Sequence, residues 1–217
     1  MQSLHRTHST AALILAGGRS SRMGTDKAFL PWQDFTIIEF LVARLVPVFD
    51  KIYVVTKNPD KFTGLSAHII RDHLSDFGSI IGLHAGLHDS HAELNFVIPC
   101  DVPLIPTPLI LEMGAAAARF DAVVLGTGVE NMPSPLPGYY RKSVLPIIED
   151  RIVQKEFRIS GLLKACNAHV LPEEAWKYLD PDKHALINLN TRQEYREAYV
   201  LTGHAGRSPS PEVKPRP

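Results

Sequence analysis

Glycines, cations and carboxylates stand in this chain where they can handle a polyphosphate. An apolar run ends at Leu15-Ala16, opens into Gly17-Gly18, and continues as a polar loop carrying Arg22, Gly24 and Lys27. Glycines at a strand end let the backbone turn sharply and let a phosphate approach its N–H groups. Arginine adds a fork of donors and lysine a compact point charge, both suited to phosphate oxygens. Asp101 follows a second apolar run in Pro99-Cys100-Asp101-Val102-Pro103, and Asp72 follows a third that ends in Ile70-Arg71. A carboxylate fixed at a strand end suits Mg²⁺, which combines one or two carboxylates with substrate phosphates and water. Turn chemistry is the competing account: Asp101 beside Pro103 as a cap, Asp72 between Arg71 and His73 as a turn residue.

The glycine loop is neither of two common phosphate-binding patterns. Gly18 and Gly24 are six residues apart with Lys27 beyond them, so G-x-x-x-x-G-K-[ST] is absent, as is G-x-G-x-x-G. A plain strand–loop junction would account for two glycines but not for two cations beside them. A cationic glycine loop with a metal carboxylate fits phosphoryl or nucleotidyl transfer from a nucleoside triphosphate. An acceptor phosphate attacks in line, and catalysis comes from positioning and charge neutralisation. A nucleotide-binding module without turnover is the reading of a different class.

Other constellations are weaker. His84 and His88 share a helical face, with Asp89 and His91 nearby, but there is no H-E-x-x-H and a solvated histidine face explains them. Ser160-Gly161 lacks the G-x-S-x-G elbow. Cys100 beside Asp101 reads as a small buried residue, since a neighbouring carboxylate disfavours the thiolate.

The elements that must position these groups are legible in the apolar patterning. Residues 11–16, 51–56, 68–70, 94–100, 122–125 and 168–171 read as strands, several apolar without alternation, as expected for strands buried on both faces. Residues 36–45, 80–87, 106–118, 143–150, 160–166 and 191–200 read as helices, the last with Thr191 and Glu194 at capping-box spacing. Residues 28–32 read as extended and the proline-rich 132–138 as irregular. Strands alternating with helices imply a three-layer α/β fold with a mostly parallel sheet, in which ligands sit beyond the carboxyl ends of the strands. The Gly17 loop, Asp72 and Asp101 each follow such an end and should converge on one rim.

Composition bounds the partners. The 217 residues carry 23 Lys+Arg and 23 Asp+Glu, and this balance disfavours duplex nucleic acid or an anionic membrane as the main partner. The cysteines, Cys100 and Cys166, show no disulfide or zinc spacing, which fits a reducing compartment. No signal peptide or membrane-spanning stretch is apparent, so a cytoplasmic location is expected. Residues 1–9 read as a flexible tail, 10–202 as a single nucleotidyltransferase domain, and the Pro/Ser/Arg-rich 203–217 as a disordered tail.

The stretch Leu15-Ala16-Gly17-Gly18-x-Ser20-x-Arg22-Met23-Gly24-x-Asp26-Lys27 resembles the signature of the molybdenum cofactor guanylyltransferases, the MobA family. Asp72 with the downstream 78–82 loop, Pro99-Cys100-Asp101-x-Pro103, and Asn188-Leu189-Asn190-Thr191-x-x-Glu194 extend the resemblance across residues 11–200. It implies a Rossmann-like α/β/α nucleotidyltransferase that joins GTP to molybdenum-bearing molybdopterin, gives the guanine dinucleotide cofactor, and releases pyrophosphate. By matching positions, Leu15, Ala16, Gly17 and Gly18 would line the nucleotide, Arg22 and Lys27 touch its phosphates, Asp72 contact it, and Asp101 bind Mg²⁺. Asn188 and Asn190, with Arg158, would lie on the pterin side. Molybdenum-insertion proteins and molybdoenzyme chaperones are the partners the family implies. Cytidylyltransferase relatives typically read Leu-Ala-Ala-Gly where this chain has Leu15-Ala16-Gly17-Gly18, which favours guanine; cytidylyl transfer, or guanylyl transfer to another phosphate, are the alternatives. The chain departs from the family at three places. Gly78-Ser79-Ile80-Ile81-Gly82 replaces Gly-Pro-Leu-Ala-Gly, Thr56 stands where many relatives have asparagine, and His-Pro-Thr is only partly kept around Pro133-Ser134.

Overall fold

The computed structural model describes residues 10–17, 26–72, 74, 76, 78–128 and 130–202. In chain order they form β1 (Thr10–Leu15), a small hairpin of β2 (Pro31–Trp32) and β3 (Phe35–Thr36), then α1 (Ile37–Leu45), β4 (Lys51–Thr56) and β5 (His68–Arg71). There follow α2 (Ser79–Asp89), β6 (Leu94–Pro99), α3 (Thr107–Ala116), β7 (Ala122–Thr127) and β8 (Met132–Arg141). The chain closes with α4 (Leu145–Val153), α5 (Ile159–Ala165), β9 (Ala168–Leu171), α6 (Glu173–Trp176) and α7 (Arg192–Leu201). The expected tails at 1–9 and 203–217 lie outside the described residues. No helix among the described residues is long and apolar enough to cross a membrane.

Seven strands form one sheet in the order β5-β4-β1-β6-β8-β7-β9. Only β8 runs antiparallel to its neighbours, so the sheet is mostly parallel, as the alternating pattern predicts. Along β1, Ala12 and Ile14 face one core with residues of α1, α3 and α7, while Ala11 and Leu13 face the other with α2, α4 and α5. Burial on both faces is why this strand is apolar at every position from Ala11 to Leu15 rather than at alternate ones. Helix α2 sits unusually close to the sheet because Gly86 has no Cβ: one there would lie 2.8 Å from Leu13 Cδ1 and 3.1 Å from Val55 Cγ2.

Two expectations from the sequence are corrected. Residues 132–138 are not irregular but form the first part of β8. Pairing with β6 begins only at Gly138; Pro133 pairs with Gly126 of β7, and Pro135 and Pro137 fall in a bulge between the Ser134–Leu125 and Gly138–Val124 pairs, partnered by neither strand. Prolines are tolerated at bulges and where a strand has a neighbour on one side only, because no ladder bond is lost. Residues 28–32 are not extended throughout. Lys27–Phe29 make a 3-10 turn, capped by Asp26 Oδ1 accepting from Ala28 N at 3.4 Å, and only Pro31–Trp32 are a strand.

Both ends of the fold that flank the glycine loop are held. At α1, Thr36 N donates to Glu39 Oε2 (2.7 Å) and Glu39 N to Thr36 Oγ1 (3.4 Å), a reciprocal cap. At α7 the predicted box is present: Thr191 N donates to Glu194 Oε2 (2.7 Å) and Glu194 N to Thr191 Oγ1 (3.1 Å). Trp32 packs edge-on against Tyr195 and Tyr199, with centroids 5.8 and 5.6 Å away, and seats α7 on the β2–β3 hairpin.

Candidate active site

The carboxyl ends of β1, β4, β5 and β6 meet at one rim, around a cleft of about 350 Å³. Ala16 N donates to Val55 O (2.8 Å) and Cys100 N to Leu15 O (3.0 Å), so the ladder continues to the cleft floor. Leu15, Ala16, Gly17, Lys27, Asp72 and Asp101 all line it, as their positions after strand ends predict. Gly17 is not required by its protein neighbours. A Cβ there would meet nothing closer than Thr56 Cα at 3.8 Å, so its absence keeps the floor open for a ligand. Gly18 and Arg22, expected beside the nucleotide, lie outside the described residues.

Three segments far apart in sequence converge on one ammonium. Lys27 Nζ is 3.0 Å from Asp101 Oδ2 and donates to Asn190 Oδ1 at 2.7 Å. Leu189 N donates to Asp101 O (2.9 Å), and Glu194 Oε2 accepts from Asn190 N (2.9 Å). The Thr191 hydroxyl and amide, then the Asn190 amide, hold the Glu194 carboxyl below its ordinary value. The side chain of Asn190, expected on the second-substrate side, thus contacts Lys27. Asp26 also lines the cleft, 3.5 Å from Lys61 Nζ.

No group of three or more His, Cys, Asp or Glu side chains placed to hold a metal occurs among the described residues. Asp101, with Asp26 lining the same cleft, fits a hard cation that takes its other ligands from phosphates and water. His84 Nε2 lies 3.5 Å from Glu149 Oε1 and His88 Nδ1 2.7 Å from Asp89 Oδ1, which makes them helix-surface pairs. Burial pushes the Cys100 thiol up, with Asp101 and Asp26 adding to it, to about 12; the thiolate is suppressed as its neighbour in sequence suggests.

One wall of the cleft is the turn after β5. Asp72 is buried; its N–H donates to Thr56 O (2.8 Å) and its Oδ1 accepts from Leu74 N (3.1 Å). Thr56 is buried too; its Oγ1 donates to Ala16 O (3.5 Å) and accepts from Asn58 N (3.2 Å), so its side chain ties the end of β4 to the cleft floor. Gly78 precedes α2 with φ 152° and ψ 154°, a region essentially restricted to glycine, and a Cβ there would lie 2.9 Å from Phe157 O. At Gly82 a Cβ would meet Leu15 Cδ2 at 3.5 Å.

A second compartment of about 500 Å³ shares Gly78, Ser79, Pro99, Asp101 and Leu136 with the first and adds Phe157, Arg158, Ser160 and Asn188. Asn188 and Arg158 thus line a compartment that shares Asp101 with the one floored by Gly17. Leu136 and Phe157 were not expected at the site. Leu136 sits in the stretch read as irregular, and no local pattern at Phe157 points to a cleft.

A family model described as the MobA-like NTP transferase domain matches residues 12–170. The chain belongs to the MobA-like NTP transferase family. It is an enzyme of the nucleotidyltransferase type. The chain is 33% identical over 199 residues to a probable molybdenum cofactor guanylyltransferase from Peptoclostridium acidaminophilum, covering 88% of this chain and 89% of that one. It is 28% identical to the molybdenum cofactor guanylyltransferase of Syntrophotalea carbinolica, over 86% of this chain and 89% of the relative. Among solved structures, the molybdopterin-guanine dinucleotide biosynthesis protein A from Archaeoglobus fulgidus superposes with a TM-score of 0.78 at 24% identity, over 89% of this chain and 98% of that one. A 2-C-methyl-D-erythritol 4-phosphate cytidylyltransferase from Thermus thermophilus shares the fold, with a TM-score of 0.67 at 16% identity over 90% and 99%.

Proposed function

We propose that this protein transfers GMP from GTP to the phosphate of molybdenum-bearing molybdopterin, forming the guanine dinucleotide cofactor and pyrophosphate. The observation that carries the reading is the shared wall: Asp101, with Lys27 on its carboxylate, borders both compartments. In this reading Leu15, Ala16, Gly17, Gly18 and Asp72 line the nucleotide. Lys27 and Arg22 hold its phosphates. Asn188 and Arg158 face the pterin phosphate, and Asn190 keeps Lys27 aimed.

An oxygen of the acceptor phosphate attacks the α-phosphorus, a new phosphoanhydride forms, and the bond to the β-phosphate breaks so that pyrophosphate leaves. Lys27 neutralises charge on the equatorial oxygens and the leaving group, and the two adjoining compartments keep the two phosphates in line. Mg²⁺ held by Asp101 would supply further charge neutralisation. The named relatives support guanine and molybdopterin as the substrates. The seven-stranded sheet supports one transferase domain over residues 10–202. In this reading it acts in the cytoplasm, receives its substrate from molybdenum-insertion proteins and hands its product to molybdoenzyme chaperones.

The test is pyrophosphate release by the purified protein with Mg²⁺ and molybdenum-loaded molybdopterin, comparing GTP with CTP. Release with GTP alone is expected. Release with CTP alone moves the protein to cytidylyl transfer, and binding of GTP without release with any phosphorylated acceptor makes it a nucleotide-binding module.

A further inference from the structure

Lys57 directs its ammonium to backbone carbonyls of the stretch that follows β5. It follows the last residue of β4, and Nζ donates to Leu74 O at 2.8 Å and to Asp76 O at 2.7 Å, with Asp72 Oδ2 at 4.0 Å. Lys57 does not line either compartment of the cleft. The two carbonyls it grips belong to the turn that carries Asp72 at its start and runs on to Gly78 and Ser79, all three of which do line it. The same lysine's backbone N lies 3.9 Å from the Cβ position of Gly17, so its main chain backs the floor while its side chain backs the wall. Leu74 seats this stretch on the core shared with α2, α4 and α5, and two charge-assisted bonds to its carbonyls together with the Asp72–Leu74 bond fix its backbone.

We infer that Lys57 is a positioning residue for the nucleotide: a cationic strap that fixes the turn between Asp72 and Ser79, and so sets the wall against which the base and ribose rest. This rests on reading the larger compartment as the nucleotide site. Because the strap acts on the wall and not on the phosphates, its loss should weaken a nucleoside monophosphate and a triphosphate by the same factor. A lysine that reached a phosphate directly would cost GTP far more than GMP.

The experiment measures calorimetric affinities of the full-length protein for GTP and GMP in Lys57→Met and Lys57→Arg, with kcat and KM for GTP. Loss of two hydrogen bonds from a charged group predicts a fall of about tenfold in Lys57→Met for both nucleotides. KM should rise by the same factor while kcat at saturating GTP stays within about twofold. Lys57→Arg, which can still donate to both carbonyls, should recover most of the affinity. Equal affinity in wild type and Lys57→Met overturns the strap, as does a loss confined to GTP. If Lys57→Met does not fold, Lys57→Gln carries the same comparison. Failure of the wild type to bind either nucleotide overturns the nucleotide reading itself, a result distinct from a null effect of the variant.

Discussion

Replacing Lys27 by methionine is the sharpest perturbation the site allows. The substitution keeps length and apolar stem but removes the charge that bridges Asp101 and Asn190. A unit charge about 4 Å from a phosphate oxygen contributes about 4 kcal/mol at an effective dielectric of about 20. Removal of a preorganised donor to developing charge costs about 10²–10³ in kcat. The two figures agree, so kcat for pyrophosphate release at saturating GTP, Mg²⁺ and acceptor should fall by about 10²–10³, that is about 3–4 kcal/mol. Stability should change little. The Lys27 and Asp101 side chains are 16% and 22% exposed, and a pair so close to solvent contributes at most about 1 kcal/mol to folding. The melting temperature should therefore move by no more than about 4 °C. The assay pairs pyrophosphate release with thermal unfolding of the same preparation. A kcat within about threefold of wild type, in a folded variant, would refute the role given to Lys27: the ammonium would then be a surface partner of Asp101 and nothing more.

Further expectations use other parts of the structure. Asn190→Ala removes one of the two groups that aim Lys27, and should lower kcat by about tenfold or more while leaving the GTP affinity nearly unchanged, read in steady-state kinetics. Gly78→Ala forces a Cβ to 2.8 Å from Phe157 Cβ in a glycine-only backbone region, and should cost about 1–3 kcal/mol in denaturant unfolding. The pH dependence of stability follows from the raised groups. Burial first pushes Cys100 from 9.0 to about 12, Cys166 from 9.0 to about 11 and Tyr195 from 10.0 to about 12, so the folded chain keeps protons that the unfolded chain releases. The contribution of these groups is whole below about pH 9 and is lost as pH rises toward 12, so urea midpoints should fall across that window and not between pH 6 and 8. A flat profile from pH 8 to 11 would contradict these burials.

Much of the site was legible because strand ends leave a local signature. An apolar run followed by Gly17-Gly18, or by Cys100-Asp101, states where the sheet stops and the polar rim begins, and rim residues of a parallel sheet share one side. The Thr191–Glu194 cap is likewise local, since the side chain and amide that satisfy each other are three residues apart. The opposite case is β8. Whether a proline-rich stretch can be a strand depends on which neighbours flank it, and only the assembled sheet shows that β6 pairs with it from Gly138 onward. Leu136 reached the cleft unannounced for that reason.

What the sequence by itself determined is the inventory and its order: a glycine floor, cations after it, a carboxylate at the end of a buried strand, and helices between strands. Those follow from periodicity and backbone chemistry within about ten residues of each group. Only the tertiary structure decided which groups meet. Lys27, Asp101 and Asn190 are joined across 74 and 163 residues of separation, and Lys57 reaches carbonyls 17 and 19 residues away. A lysine's type specifies its charge, but its flexible stem lets that charge point anywhere within several ångströms. The fold, by placing two carbonyls or a carboxylate within reach, chooses between a phosphate ligand and a strap.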